Sequence, residues 1–349
     1  MRVLCYPKPR HAKIVDAEEV TPGAGEFVAR SLFCDISAGT EMGFYRGTAP
    51  QFHCVGNSLG NFDDRENTMV YPMHSNAPGT WWMGYSNIAE VTALGAGVSA
   101  VQVGDRVFSY SPHQSMQKLS EKGGFVKLAP GADPENAAMG ALAGIALNGI
   151  LDASLRLKEN VVVIGLGPLG QMVTAMAKRS GARVIAVDCI AGRLETAKTL
   201  GADEAIDFRQ TNDLAGDVFR LCGGRGADAA IEVSGNIAAL TSAMRVVAPC
   251  ARVVALSFYA DGAPALNLGR EFHHKHLNLI SSQIGNLNPS LVTWWTPMRR
   301  LQAALELAEE LQLKRLFTHH VGFEELPAAL EMIDQRPAEC GAVCIDYAK

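Results

Sequence analysis

The residues with the plainest chemistry lie in VVVIGLGPLG at 161–170. Gly165, Gly167 and Gly170 follow an apolar run and open a segment in which Leu169, Met172, Val173 and Met176 recur at helical spacing. A glycine turn between a buried strand and a helix N-terminus binds pyrophosphate. The first glycine allows the tight turn, the second lets the backbone approach the phosphates, and the third permits close helix–strand packing. Pro168 and Leu169 lie inside that loop, and RVIAV further on ends in Asp188, about 20 residues past the glycines, where a carboxylate can take the adenosine ribose hydroxyls. The expected cofactor is therefore NAD. Asp188 would repel a 2′-phosphate, although Arg193 is near enough in sequence to keep NADP as an alternative. Ser234, Ser257 and Ser282, in or just after later apolar runs, are counted with the cofactor-binding residues.

Other reactive side chains are ambiguous. His53, His74 and His113 fall in polar loops, and any one of them could serve as an acid–base group. The eight cysteines are scattered and include no Cys-x-x-Cys pair, so neither a zinc ribbon nor a disulfide framework is expected. Cys340 and Cys344 read as part of a buried terminal strand, with a shared metal as the lesser alternative. Cys34, His53, Cys54 and His74 form an imaginable substitute zinc set. The FHHKH run at 272–276 reads as a solvated strand entry more than a metal site. Trp81, Trp82, Trp294 and Trp295 either line a substrate cleft or pack in a core, and Arg46 either binds a polar substrate or makes an ion pair.

The elements that must position these groups follow from periodicity. Residues 1 to about 125 break into short strand-like pieces, FVARSLF, SNIAEVTAL and DRVFSY among them, separated by Gly, Pro and Asn. Residues 131–158 are rich in Ala, Leu and Gly and read as a helical connector. From Val161 apolar runs alternate with helical segments, as in a parallel sheet covered on both faces, with LNLISS as a sixth strand. TPMRRLQAALELAEELQL starts with Thr296 as N-cap and Pro297 at the first helical position, and AVCIDY is a closing strand. The expected fold is α/β: a doubly wound Rossmann sheet over 131–289, connector included, and a β-rich catalytic domain from 1–130 and 290–349.

A 349-residue chain with 48% hydrophobic residues can bury a large core, and its net charge of −5 leaves no basic surplus for nucleic acid. No apolar run approaches the roughly 18 residues needed to span a bilayer, and the charged, proline-containing start lacks a secretion signal. A cytoplasmic protein acting on a small molecule is expected, with neither nucleic acid nor membrane as partner.

The order of parts resembles the medium-chain dehydrogenase/reductase family, whose catalytic domain is GroES-like. The resemblance rests on SAGTEMGFYRG at 37–47, GYSNIAEVTALGAGV at 84–98, GDRVFSY at 104–110, the glycine loop, RLETAKTLGADEAIDF at 193–208 and EVSG at 232–235. It implies an alcohol dehydrogenase that interconverts an alcohol and a ketone. Zinc-bearing relatives place a Cys, a His and a third ligand where this chain carries Ala38, Tyr85 and Ala141, and the four-cysteine lobe expected after GDRV is missing. No metal site is therefore expected.

Without metal, the residues at the old centre are the catalytic candidates: Thr40, Glu41 and Tyr85. Glu41 replaces an aspartate that braces the ligand histidine in relatives, so a Glu41–Tyr85 hydrogen bond is expected. Tyr85 would exchange a proton with the substrate if its environment lowers its pKa, and Thr40 would relay that proton. The reading is an NAD-dependent, zinc-independent dehydrogenase of a secondary alcohol, whether polyol, cyclitol or sugar-like. The bacteriochlorophyllide hydroxyethyl dehydrogenase branch, a quinone or enoyl reductase, and a catalytically dead NAD-binding protein are the alternatives. Relatives also imply a homodimer joined through 277–283.

Overall fold

The computed structural model describes residues 1–56, 61–65, 69–80, 82–259 and 266–349; Trp81 lies outside the described residues. The chain divides into two compact units, Met1–Ala141 with Ala308–Lys349, and Leu142–Leu307. The expected boundaries were 130/131 and 289/290. The first falls later because the helix Pro134–Ala138 is tied into the β-rich unit: Asn136 accepts from the Lys314 amide at 2.9 Å, and its own amide group donates to Glu309.

The first unit is built on the strand Glu26–Asp35, which buries Phe27, Val28 and Ala29 near its start and Cys34 and Asp35 at its end. Its main sheet runs Phe125–Lys127, Arg106–Ser109, Asn87–Leu94, Glu26–Asp35, Ala342–Asp346, Phe317–Gly322, with Met116–Ser120 also paired to Glu26–Asp35. The C-terminal strand thus returns to the unit that opened the chain, with Cys344 opposite Asp35. A smaller sheet joins His11–Asp16, Arg2–Lys8 and Met73–His74. The core gathers Leu4, Tyr6, Met42, Phe44, Trp82 and Leu330. Trp82 stacks on Phe44 at 4.2 Å, which makes it a packing residue.

The second unit is a parallel sheet in the order Glu204–Asp207, Arg183–Asp188, Asn160–Ile164, Ala227–Glu232, Val247–Ala255, Asn278–Ser281, interleaved with helices. Its strands are apolar on both faces because helices cover both. The first strand of the unit lies in the middle, so the strand order reverses between Asn160–Ile164 and Ala227–Glu232. Ligands bind at the carboxyl ends of strands at such a reversal. The helix Pro297–Glu310 is capped as expected: Thr296 Oγ1 accepts from the Arg299 amide at 3.0 Å. Among the described residues no helix is long and apolar enough to cross a membrane.

Candidate active site

In the second unit, Gly165 adopts φ +92°, and a Cβ there would meet Ser234 at 2.7 Å. A Cβ on Gly170 would lie 1.9 Å from the Gly165 carbonyl oxygen. Gly167, by contrast, has open space where its Cβ would be, and it caps the helix Pro168–Arg179 with no side chain on the free amides. A bare, uncapped helix start with room above it fits a pyrophosphate. Asp188 ends its strand beside this loop. Its Oδ2 accepts from the Leu166 amide at 2.7 Å, and its Oδ1 from the Cys189 and Ile190 amides at 2.7 and 2.9 Å. Arg193 Nη1 is 4.0 Å from Asp188 Oδ2.

Gln171 completes the loop by donating to the Leu166 carbonyl at 3.1 Å and the Arg193 carbonyl at 2.8 Å. The Leu166 peptide is thereby held from both sides. Across the reversal, fully buried Glu232 accepts from the Ser234 amide at 2.7 Å, from the Ser234 and Tyr259 hydroxyls, and from the Gly235 amide at 3.3 Å. Ser234 is thus pinned beneath Gly165, and Ser257 sits close by, its Cβ 3.5 Å from where a Gly235 Cβ would stand. Ser282 belongs to a different arrangement. Its hydroxyl accepts from Asn148 at 3.0 Å, and Asn148 also bonds Asp152 and Arg300, so this serine ties the helix Gly140–Ala153 to the sheet.

In the first unit the three positions that the family resemblance assigns to zinc ligands hold Ala38, Tyr85 and Ala141. The last two are neighbours, since the Ala141 amide donates to the Ser86 hydroxyl at 3.3 Å. Alanine offers no donor atom, and the Tyr85 hydroxyl donates to Ser37 Oγ, with Thr40 also hydrogen-bonded to it. Among the described residues no group of three His, Cys, Asp or Glu converges as a ligand set, which includes the Cys34, His53, Cys54, His74 alternative. These residues do not fit a zinc ion.

Glu41 does not take the partner expected of it. The short helix Thr40–Arg46 turns its carboxylate inward, where Oε1 accepts from the Ser37 amide at 2.7 Å and Oε2 pairs with His113 Nε2 at 2.8 Å. Tyr85 reaches Glu41 through Ser37. Glu41 and His113 are both fully buried. Burial, the largest single influence, lowers the imidazole, but the Glu41 charge and hydrogen bond together with the neighbouring Cys34 outweigh it and lift His113 from 6.5 to about 10. His113 is therefore an imidazolium within an ion pair, and not a base poised near neutrality.

The Tyr85 phenol is likewise moved the other way from the one its assumed role needs. Burial pushes it well above its ordinary value, and the Glu41 and Asp35 charges add to that, against its hydrogen bonds with Ser37 and Thr40. Tyr85 remains a proton donor. Asp35, fully buried, has its carboxyl driven well above the usual range by burial and then by the Glu41 charge.

Backbone geometry fixes this cluster. Gly84 holds φ +112°, and a Cβ on it would lie 2.7 to 2.8 Å from three atoms of the His113 ring. The imidazole therefore packs flat on the residue preceding Tyr85. Of the other histidines, His53 is exposed and His74 ends a strand that pairs with Arg2–Lys8. Arg46 is settled as an ion-pair residue, with its Nε 2.5 Å from the buried carboxylate of Asp334.

Sequence reasoning missed Ser37, Glu232, Tyr259 and Gln171. Glu232 stood in the quoted EVSG segment, but its strand-end position carried no sign of four converging donors.

A family model described as zinc-binding dehydrogenase matches residues 168–322. The chain is 30% identical over 351 residues to D-guloside 3-dehydrogenase of Escherichia coli (strain K12), covering 97% of this chain and 98% of that protein. It is 30% identical over 290 residues to (R,R)-butanediol dehydrogenase of Bacillus subtilis (strain 168), covering 75% and 79%. The fold is similar to the crystal structure of 2R,3R-butanediol dehydrogenase from Bacillus subtilis, at a TM-score of 0.79 and 21% identity over 99% of both chains.

Proposed function

The chain belongs to the zinc-binding dehydrogenase family of medium-chain dehydrogenases/reductases and is an alcohol dehydrogenase-like oxidoreductase, and from that premise we propose that it interconverts a secondary alcohol of polyol, cyclitol or sugar-like structure and its ketone, using NAD and no zinc. The observation that carries the reading is the replacement of the ligand positions by Ala38, Tyr85 and Ala141, with Tyr85 built into a buried hydrogen-bonded cluster. The name of the guloside dehydrogenase relative, which aligns along nearly its whole length, favours a sugar-like substrate over a tetrapyrrole or an enone.

Bound NAD supplies the hydride acceptor. Gly165, Gly167, Pro168, Leu169 and Gly170 would hold its pyrophosphate, Asp188 its ribose hydroxyls with Arg193 beside it, and Ser234 and Ser257 line the strand ends where it lies. Tyr85, kept protonated by burial, would turn its one hydroxyl hydrogen from Ser37 to the substrate oxygen and transfer that proton to it in the reductive direction. Ser37 and Thr40, both bonded to the phenol, pass the proton to and from Tyr85. The Glu41–His113 pair touches neither substrate nor cofactor in this scheme; it holds the Ser37 amide and packs beneath Gly84, which fixes where the phenol sits.

The test pairs metal analysis with kinetics on a panel of sugars and polyols. Dialysed, EDTA-treated enzyme should retain NAD-dependent turnover with less than one zinc per chain, and Tyr85→Phe should lose about 10²-fold or more in kcat. Stoichiometric zinc needed for activity, or full activity in Tyr85→Phe, overturns the proposal.

A further inference from the structure

In the second unit the last strand of the sheet, Asn278–Ser281, gives way to a turn at 282–286, and a buried cation holds that turn. Arg300, on the helix Pro297–Glu310 and only 5% exposed, donates through Nη2 to the Ile284 carbonyl at 2.5 Å and through Nη1 to Asn148 Oδ1 at 2.6 Å. With its oxygen taken, the Asn148 amide gives its two hydrogens to Ser282 Oγ at 3.0 Å and to Asp152 Oδ2 at 2.9 Å. The Ser282 hydroxyl in turn donates to Asp152. The side chains thus form a closed set, and the turn is held at Ser282 and again at Ile284.

Such a network is a costly way to join a helix to a sheet. Burying an arginine and a carboxylate takes both out of water, and apolar residues of similar volume would join the elements about as firmly. Asp152 shows the cost: burial raises its carboxyl above the ordinary value, against the Ser282 hydrogen bond and the Arg300 charge. What directional, charge-assisted bonds add is one fixed position for the backbone they hold. That position lies at the carboxyl end of the sheet. With the pyrophosphate on Gly165–Gly170 and the adenosine over Asp188, the other half of a dinucleotide runs the opposite way. It crosses the ends of Ala227–Glu232, Val247–Ala255 and Asn278–Ser281, the last of which leads into the turn. The helix that carries Asn148 is pressed against the same end, since a Cβ on Gly149 would meet the Leu256 side chain at 2.8 Å.

We propose that Arg300 is a positioning residue for the nicotinamide ring: by holding the Ile284 carbonyl it sets where the turn at 282–286 meets the ring, without itself touching the cofactor. This rests on the NAD reading. A misplacement of about 1 Å in a positioned reaction can cost about 10²-fold in rate, which gives the network its use.

Calorimetric titration with NADH and with ADP-ribose, which ends before the nicotinamide, separates positioning from a merely structural tie. Arg300→Lys keeps a charge beside Asp152 but lacks the planar fork that reaches two partners. Asn148→Ala removes the other acceptor of Arg300 and acts on the turn backbone only through Arg300 and the Ser282 side chain. Each variant should weaken NADH about tenfold and leave ADP-ribose as in wild type. Equal weakening of both ligands, or no change in either, overturns the proposal while wild type still binds both. Wild type that binds neither ligand overturns it together with the NAD reading.

Discussion

Replacing Glu41 by Gln keeps the hydrogen bond to the Ser37 amide available and removes the charge opposite His113. Both partners are fully buried, and breaking such a pair costs about 3–5 kcal/mol because it strands the remaining charge. The imidazole gives a second route to the magnitude. Its folded value rises from 6.5 to about 10, which at 1.36 kcal/mol per pH unit corresponds to about 5 kcal/mol.

The sign follows from the direction. A group whose folded value is raised binds its proton more tightly when folded, so the stabilisation is complete below pH 6.5 and is lost as pH climbs through about 10. In Glu41→Gln, the burial that lowers His113 is opposed only by Cys34, so most of this loss on the alkaline side disappears.

Urea unfolding of both proteins at pH 6.5, 8 and 9.5, followed by the fluorescence of the buried Trp82, measures the difference. The gap between wild type and variant should be about 3–5 kcal/mol at pH 6.5 and shrink as pH rises. A gap under about 1 kcal/mol at pH 6.5, or parallel pH dependences, would refute the charged pair.

Tyr259→Phe removes a hydrogen bond to a buried carboxylate, worth about 1.5–3 kcal/mol, and should raise the dissociation constant for NADH about tenfold in a fluorescence titration. An unchanged constant would separate Glu232 from cofactor binding. Gly84→Ala puts a Cβ into the His113 ring at a left-handed backbone position and should destabilise the first unit by about 3–5 kcal/mol, read as a lowered urea midpoint. A variant as stable as wild type would mean that the ring does not pack there. Asp188→Asn removes the charge that repels a 2′-phosphate while Arg193 remains 4.0 Å from that side chain, so the NADP-to-NAD ratio of kcat/KM should rise about 10²-fold. A constant ratio would place the selectivity elsewhere.

The sequence by itself determined the features that depend on local pattern. Alternating apolar runs and helical periods specify a covered parallel sheet, the spacing of Gly165, Gly167 and Gly170 specifies the loop, and Thr296 with Pro297 specifies a helix start, because each is a property of neighbouring residues. That Ala38 and Ala141 offer no metal donor was legible for a related reason: an alanine cannot coordinate a metal wherever the fold puts it.

Only the tertiary structure decided how the remaining groups are paired. Glu41 meets a histidine 72 residues away, Arg46 a carboxylate 288 away and Ser282 an asparagine 134 away. No periodicity encodes such distant contacts: burial is what keeps Tyr85 a donor, and the pairing with Glu41 is what favours the charged form of His113 against burial.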